Sequence, residues 1–551
     1  MAIDLPPAVP PTLVNTSYIS DYAAGASAYT GKVGSFELHV TGDHHLSSAE
    51  LDKIFEVAKS ADQAILLISS ATNRKGHLLV NTLYARQQNV VHVHALQARV
   101  GNVSGDEGIV PFFDGLEGDA DLKRSEFDKA RAMANVKSER TGVDYSVSYQ
   151  VSEEDPGVVG MVFEGKEKAD ADRTDLKFKL SNEGSRFAGR YYADAGVTHS
   201  TLGGTNLSLD YQKAFPDLGE SREGDEYDQI SVGINKPFSF GLYGLRASVA
   251  EYTQDFTPES VGAGAGQTCD PLLGLLCLPV GGAATSNSVF DAEITQIAFT
   301  GEQVLSSDID RRFSLYEELE LVDSQIEDQS GANLQDEVYT TLEVGARYNR
   351  QSRLGDTHLL KYTLTASAKA GIDDDGGSLE STPDASGVAV GKRAGDFIVF
   401  KPRAAVQISN RKRTTVDVDF AAQLADDQLP QQQQWVLGGV NAISSYVPGV
   451  LVGDSGMFAR LGLNHKLVDL DNFDLVAGVF GEYGEANFED ASGDAGDTAA
   501  ISDIGVRIKA TYAETLEVNL VIADSISEKN LPDAFLEGAE ADFFASVKFV
   551  F

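Results

Sequence analysis

Several short groups of residues have the types and spacing that chemistry requires, and the most suggestive is the string GDSG at 453–456. The same string surrounds the nucleophile of trypsin-like proteases, where a histidine base and an orienting acid activate the serine. No histidine-containing partner motif accompanies it in this sequence. We therefore expect no catalytic residues and no enzyme.

Three other groups could in principle hold a metal or a nucleotide. His92 and His94 are two residues apart on one predicted strand face, and both could reach a metal. Asp373–Asp375 resembles part of a calcium loop but lacks the spaced ligands and the closing glutamate. The Gly262–Gly266 run does not follow a strand and open a helix, as a nucleotide fingerprint does. We predict solvated strand faces and acidic external loops here, with no metal and no cofactor, and leave weak cation binding by the loops open.

Cys269 and Cys277 are the two cysteines of the chain, and both lie in one glycine-rich segment, VGAGAGQTCDPLLGLLCLPVGG. This spacing favours a short disulfide-closed loop, which would imply an oxidising or external compartment. Two free thiols in a loop are the alternative.

The overall charge and hydropathy exclude two classes of protein. The 44 basic and 83 acidic residues give a net charge of −39, which argues against nucleic acid as a partner. No stretch approaches 18 uninterrupted apolar residues, so no transmembrane helix is expected. A spanning β-strand needs only about 9–11 residues, of which every second one is apolar, so a membrane barrel stays possible.

The first 170 residues have a mixed α/β texture. Residues 1–34 begin with MAIDLPPAVPPTLVNT, which lacks the basic and apolar regions of a signal peptide; we interpret it as a mature or recombinant start and predict an extended, proline-rich segment. Residues 35–104 and 105–170 each combine strands with one amphipathic helical stretch. Two small domains of strand–helix–strand type are therefore predicted.

From 171 to 551 the texture is that of many short alternating strands separated by turns and by Gly/Asp/Ser loops. The last strand shows the pattern well, because Phe549 and Phe551 fall on one face while Ser546 and Lys548 fall on the other. We predict sixteen strands, which begin near residues 174, 187, 205, 227, 245, 288, 311, 338, 357, 397, 414, 456, 473, 499, 516 and 541. Sixteen is an even number, as a closed bacterial outer-membrane barrel requires.

The predicted connections alternate between long and short. Long segments near 258–287, 373–396 and 426–455 alternate with short ones such as 409–413 and 468–472. Long external loops and short periplasmic turns are typical of outer-membrane barrels. The sequence therefore predicts a closed transmembrane barrel whose last residue, Phe551, lies on the periplasmic side.

With this architecture, residues 35–551 resemble the two-partner secretion transporters (TpsB, or hemolysin secretion/activation proteins) of the POTRA-bearing outer-membrane superfamily. LKFKLSNEGSRFAGRYYADAGVTHSTLGGTNLSLDYQKAF is similar to the first three barrel strands of that family, and KSERTGVDYSVSYQVSEEDPGVVGMVFEG to the end of its POTRA region. The resemblance implies α+β periplasmic POTRA-type domains followed by an all-β, 16-stranded antiparallel barrel. It also implies that the loop near 426–455 folds into the lumen.

The most informative segment is LGGVNAISSYVPGVLVGDSGMFARLGL at 437–463. Family members carry an arginine in the tip of this loop, and it meets an acidic residue on the inner wall near an F-x-D-x-G motif. Here Ser444 stands at the arginine position, and the wall motif has a glutamate in place of the aspartate. Because serine carries no charge, an ion pair between these two positions is not available. The resemblance assigns the loop motif to Ile443, Ser444, Ser445, Tyr446 and Asp454, and the wall motif to Phe480, Glu482 and Gly484.

The resemblance implies a transporter that captures an unfolded client through POTRA domains and passes it through the barrel to the cell surface. The expected location is the outer membrane of a Gram-negative bacterium, with the POTRA domains in the periplasm. The expected partners are a secreted or surface-anchored client, outer-membrane lipid and the barrel-assembly machinery, for which Phe549 and Phe551 would form the C-terminal assembly signal. An outer-membrane protein insertase, or an anchoring barrel that has lost transport, are the alternatives; Ser444 is the main support for the anchoring barrel.

Overall fold

The computed structural model comprises an N-terminal α/β region and a barrel. It describes residues 3, 5–22, 28–169, 171–184, 189–215, 226–256, 268–269, 277–278, 288–328, 331, 333–374, 393–410, 413–489, 498–533, 536 and 539–551. None of the helices in this part of the chain is long and apolar enough to cross a membrane.

The first unit is a five-stranded sheet covered by helices. Its core forms because helix α2 (Ser48–Val57) presents Leu51, Ile54 and Phe55 on one face, and these side chains are buried. The helix begins with a capping box in which Ser47 and Glu50 bond each other's backbone amides. The strands follow the order β1-β4-β5-β3-β2, and the elements are β1 (Thr12–Leu13), α1 (Thr16–Tyr22), β2 (Tyr29–Val33), β3 (Phe36–Gly42), α2 (Ser48–Val57), α3 (Ala61–Arg74), β4 (Val80–Gln87) and β5 (Val90–Gln97).

The second unit is a three-stranded sheet with one long helix. Its strands β6 (Arg99–Gly105), β7 (Val143–Val151) and β8 (Val158–Glu167) follow the order β6-β8-β7, so β7 is an edge strand. Helix α4 (Arg124–Thr141) ends at Gly142, whose φ of 70° gives the left-handed conformation common after a helix. Short 3-10 turns at Val110–Phe112 and Asp114–Leu116 precede it.

Two features of this region differ from the sequence prediction. Strand β6 lies within the range 35–104, but it pairs in parallel with β8 of the second unit rather than with the first sheet. The segment 1–34 contains α1, β1 and β2, so it has more secondary structure than the extended segment that was predicted. Strand β1 joins the first sheet beside β4, with Thr12 opposite Leu83.

The second part of the chain is a closed barrel of sixteen antiparallel strands, which confirms the predicted architecture. The first strand pairs with the last, with Ser181 opposite Ser546. Two-residue strands β14 (Thr268–Cys269) and β15 (Cys277–Leu278) lie outside the barrel wall. The barrel strands are β9 (Thr174–Ser181), β10 (Tyr191–Ser200), β11 (Asn206–Phe215), β12 (Glu226–Phe238), β13 (Gly241–Phe256), β16 (Ser288–Ser307), β17 (Arg311–Asp328), β18 (Asn333–Leu354), β19 (His358–Asp374), β20 (Ile398–Asn410), β21 (Thr414–Ala425), β24 (Ser455–Leu470), β25 (Phe473–Asn487), β26 (Ala499–Tyr512), β27 (Leu516–Lys529) and β28 (Phe544–Val550).

Alternation along each strand separates the two faces of the wall. On the first strand Leu176, Phe178 and Leu180 are exposed on the outside, whereas Lys177 and Lys179 line the lumen. Large exposed apolar side chains recur in the same way around the barrel, for example on β11, β12, β19 and β26. An apolar outer face of this extent is suited to lipid rather than to water.

The N-terminal region lies against the end of the barrel that carries the short turns. Arg140 of α4 donates to the carbonyl oxygen of Gly204 at 3.1 Å and to Oδ1 of Asn235 at 2.6 Å. Gly204 belongs to the turn between β10 and β11, and Asn235 lies near the β12–β13 turn. Short connections such as 201–205 and 471–472 occupy this end, and long ones such as 426–454 occupy the other.

Candidate functional site

The connection between β21 and β24, which we call the lumen loop (residues 426–454), folds into the barrel. It contains a 3-10 turn at Gln431–Gln433 and a small hairpin of β22 (Trp435–Leu437) and β23 (Leu451–Gly453). Its tip, residues 443–446, is buried: Ile443 is 0 % exposed, Ser444 1 % and Tyr446 2 %. The structure therefore brings the predicted loop motif and the predicted wall motif together.

Three consecutive tip residues bind three neighbouring wall strands. The amide of Ser444 donates to Oε2 of Glu482 on β25 at 2.7 Å. The amide and hydroxyl of Ser445 donate to Oδ2 of Asp503 on β26 at 2.9 and 3.1 Å. The Tyr446 hydroxyl donates to Oε1 of Glu528 on β27 at 3.1 Å. The tip thus supplies neutral donors, and the wall supplies the carboxylates.

The positive charge missing from Ser444 is supplied by the wall. Arg460 on β24 forms an ion pair with Glu482, its partner in the strand register, and donates to the carbonyl oxygen of Val440 in the lumen loop at 3.1 Å. Arg507 on β26 donates to the same carbonyl oxygen at 3.0 Å. The centroid of the Phe480 ring lies 5.2 Å from the central carbon of the Arg460 guanidinium and 5.7 Å from that of Arg507. Two wall arginines therefore hold one loop carbonyl.

Motif comparison missed Arg460 because the motif places the cation on the loop. A signal was nevertheless present in the sequence. Arg460 lies eleven positions before the 471–472 turn, and Glu482 lies ten positions after it, so simple hairpin pairing puts them within one residue of each other. The bulge between Lys466 and Val468 brings the two residues into register.

Close packing fixes the tip against the wall at Gly484. A Cβ atom at Gly484 would lie 2.7 Å from Leu437 and 2.9 Å from Ile443, so glycine lets the loop approach the strand. Ile443 has a φ of +62°, which is strained for a β-branched residue. The burial of the Ile443 side chain and the hydrogen bonds of the next three residues stabilise this strained backbone conformation.

Tyr446 is fixed along its backbone and at its hydroxyl. Its carbonyl oxygen accepts from the Gly439 amide at 2.8 Å, and the neighbouring Val447 amide donates to the Ala539 carbonyl at 2.9 Å. Burial raises the pKa of the Tyr446 hydroxyl to about 12, so this group remains a neutral donor to Glu528 near neutral pH.

Asp454 and Ser455 of the GDSG string close the lumen loop rather than forming a nucleophile. The buried Asp454 carboxylate accepts from the backbone amides of Leu429 at 2.9 Å and Glu489 at 3.0 Å. Burial, opposed by these two amides, raises its pKa to about 6. The Ser455 hydroxyl accepts from the Ala425 amide at 2.9 Å. The string thus ties together both ends of the loop.

A second polar cluster holds residues 431–433 of the lumen loop. We call these three residues the base of the loop. Lys369 on β19 forms a buried ion pair with Glu320 on β17 at 2.8 Å and donates to Oε1 of Gln433 at 2.9 Å. Arg393 forms a buried ion pair with Glu337 of β18, which accepts from the Gln431 amide at 3.1 Å. No sequence motif pointed to this cluster.

A cavity of about 1240 Å³ connects the N-terminal region with the loop tip. At one end it is lined by Arg131 and Asn135 of α4, and at the other by Arg460, Phe480 and Arg507. The lumen beneath the lumen loop is thus open toward the N-terminal region.

The remaining predicted residues lie in the following places. Cys269 and Cys277 are directly opposite in the β14–β15 ladder, a backbone spacing compatible with a disulfide, which stays a prediction. Phe549 and Phe551 stack with ring centroids 6.1 Å apart on the outer face of the last strand. His94 is buried and bonds Thr41 at 2.9 Å, and the His92 ring packs edge-on against His39. Asp373 and Asp374 end β19, while Asp375 and Gly262–Gly266 lie outside the described residues.

Comparison with known proteins shows the fold alone. No family model and no curated protein matches the sequence. Among solved structures, CdiB from Escherichia coli aligns with a TM-score of 0.67 and 14% identity over 96% of this chain and 92% of its own. CdiB from Acinetobacter baumannii aligns with a TM-score of 0.59 and 12% identity, over 97% and 96%. BamA from Haemophilus ducreyi lacking POTRA domains 1–3 aligns with a TM-score of 0.51 and 12% identity, over 95% and 100%. The predicted fold of POTRA-type domains and a 16-stranded barrel is confirmed.

Proposed function

We propose that this chain, which has the fold of CdiB and BamA, is an outer-membrane transporter that accepts an unfolded client through its POTRA domains and passes it through the barrel to the cell surface. The observation that carries the proposal is the lumen loop, which crosses a lumen open on the side of the N-terminal region. A loop held by side-chain contacts with the wall can be displaced without unfolding the barrel, as a plug in a protein-conducting pore requires.

The location and partners follow from the same architecture. The apolar outer face supports a position of the barrel in outer-membrane lipid, and the contact of α4 with the short-turn end supports POTRA domains that lie in the periplasm. Exposed edge strands of such domains can bind an extended client through main-chain hydrogen bonds. The last strand, with Phe549 and Phe551, is the segment that the barrel-assembly machinery would recognise.

Arg460 weakens the case for an anchoring barrel that has lost transport. That alternative rested on Ser444 in place of the motif arginine. Arg460, paired with Glu482, provides a cation next to the loop tip. The positive charge that the family motif carries on the loop is therefore present here on the wall.

The test is to search beside this gene for one that encodes a large secreted β-helical protein, to co-express the two, and to treat intact cells with protease. We expect that protein to be digested at the cell surface only when this chain is present. Retention of the intact protein in the periplasm would contradict the proposal, and the absence of any such neighbouring gene would favour the anchoring barrel.

An insertase is the second candidate, and the seam of the barrel favours it. Strands β9 and β28 share five paired positions and two flanking main-chain contacts, Leu176 with Phe551 and Asn182 with Ala545, whereas β27 and β28 share six positions and β26 and β27 thirteen. A short seam is the easiest place for a barrel to open sideways, because few main-chain hydrogen bonds have to break.

A pair of disulfide tethers separates the two candidates. Lys179 and Lys548 are opposite across the seam, and Lys509 and Asn519 are opposite across β26 and β27. Each pair would be replaced by cysteines in a chain with Cys269→Ser and Cys277→Ser. A transporter should keep exporting its client with either tether oxidised. An insertase should lose activity with the seam tether alone and regain it on reduction.

A further inference from the structure

A residue of the chain's own N-terminal segment occupies the free edge of the second sheet. Ile3 forms a parallel bridge with Tyr145 on the edge strand β7. Its side chain is 0 % exposed and belongs to the core of the second unit, together with Met133 and Val147. Ile3 is therefore seated between α4 and β7, at a site that we call the edge groove.

The edge groove binds the main-chain amide and carbonyl groups of Ile3. The Ile3 amide donates to Oδ1 of Asn135 at 3.0 Å, and its carbonyl oxygen accepts from Nη1 of Arg131 at 3.1 Å. Both side chains come from α4, one helical turn apart, and Arg131 is fixed by Asp128 at 2.7 Å. Because N–H and C=O are both bound, the edge groove selects an extended backbone and tests only the shape of one apolar side chain.

The edge groove opens toward the lumen. Arg131 and Asn135 line the cavity that reaches Arg460 and Arg507 beneath the loop tip, and Leu5, two residues after Ile3, lines it as well. A chain that is bound at the Ile3 position therefore continues into the mouth of the barrel.

We propose that the edge groove is the last acceptor for the client before the lumen, and that Ile3 occupies it in the resting protein as a pseudo-client. The partner is an extended polypeptide with a β-branched apolar residue, which takes over the bonds of Asn135 and Arg131 and displaces Ile3. This inference rests on the proposed transport function, and it adds a competition between the client and the chain's own N-terminal segment.

The test measures binding of a peptide with the sequence MAIDLPPAVPP, labelled at its C-terminus, to the full-length protein in detergent. We expect the variant Ile3→Asp, whose own segment can no longer fill the edge groove, to bind at least about tenfold more tightly than the unaltered protein. Leu13→Asp is the matched control, because Leu13 is 66 % exposed in the same segment, and it should bind as the unaltered protein does. Asn135→Ala added to Ile3→Asp should weaken binding about fivefold or more.

A second peptide that carries the Ile3→Asp change is measured beside the first, and the comparison can overturn the proposal. Equal binding of the two peptides by the Ile3→Asp protein, or equal binding of the unaltered peptide by all protein variants, would show that the edge groove is not the site. If circular dichroism shows that Ile3→Asp disturbs the second unit, Ile3→Gly replaces it with the same expectations. Peptide binding and client export are measured separately. Specific peptide binding without client export would support the edge groove as a binding site and would contradict only the proposed transport function.

Discussion

The lumen loop is held at two places, and the chemistry of its tip differs from that of its base. At the tip, backbone amides of Ser444 and Ser445 donate to wall carboxylates. At the base, the side chain of Gln433 accepts from Lys369 and donates to the Tyr339 hydroxyl at 3.3 Å. At the tip two main-chain amides bind the wall beside the hydroxyls of Ser445 and Tyr446, whereas at the base the Gln433 side chain binds it beside the Gln431 amide.

In both places the loop is neutral and the wall is charged. Glu482 with Arg460 at the tip, and Glu320 with Lys369 at the base, are ion pairs within the wall that would exist without the loop. The two sites lie about six strands apart in the barrel of sixteen, so the loop crosses the lumen between them. The lumen loop can therefore leave these two places without separating the Arg460–Glu482 or Lys369–Glu320 ion pair, which keeps the cost of opening moderate.

The largest effect should come from removing the carboxylate of the tip. Glu482→Ala leaves Arg460 buried without its partner and the Ser444 amide without an acceptor, and a broken buried pair costs about 3–5 kcal/mol. We expect the tip to detach while the base holds, with higher single-channel conductance in planar bilayers. Asp471→Ala, in the exposed turn of the same hairpin, is the control and should conduct as the unaltered protein does. An unchanged conductance for Glu482→Ala would show that the tip does not close the pore.

The next effect tests whether the cation can move back to the loop. Ser444→Arg alone should weaken the tip, because Ser444 is buried and Arg460 and Arg507 already lie beside it. In an Arg460→Ser background the same change should restore stability by about 1.5–3 kcal/mol, the contribution of a hydrogen bond to a charged group. Thermal unfolding and conductance of the four proteins form a double-mutant cycle. Additive effects of the two changes would mean that the two positions do not share one site.

A somewhat smaller effect is expected at the base. Gln433→Ala removes the bonds to Lys369 and Tyr339, at a cost of about 1.5–3 kcal/mol. Hydrogen exchange should accelerate around residues 428–434 and stay unchanged at the tip, if the two sites hold independently. Gln432→Ala, in the same turn, is the matched control. Faster exchange at the tip as well would show that the loop behaves as one unit.

The smallest effect should follow Ser444→Ala. The alanine keeps the amide that donates to Glu482, and the serine hydroxyl makes only long contacts of 3.4 and 3.5 Å with Val440 and Arg460. We expect less than about 0.5 kcal/mol in loop stability and an unchanged conductance. A loss comparable to that of Gln433→Ala would contradict main-chain recognition at the tip.

Sequence alone determined the strand pattern and the ends of the barrel. Alternation with a period of two is a local property, so every predicted strand start lies within five residues of the observed one. Alternating loop lengths predicted a long connection near 426–455 in the same way, because the lengths are visible along the chain. The position of this loop in the lumen and the wall residue Glu482 were implied by the family resemblance.

Tertiary structure alone decided which side chains meet across space. Gln433 meets Glu320 over 113 residues of chain, and Ile3 meets Arg131 over 128, because closure of the barrel and docking of the N-terminal segment bring them together. The family motif places the cationic partner of the wall carboxylate on the loop, whereas Arg460 provides the cation from the wall. An ion pair needs only that the two charges come close, and many different positions in a sequence can satisfy that condition.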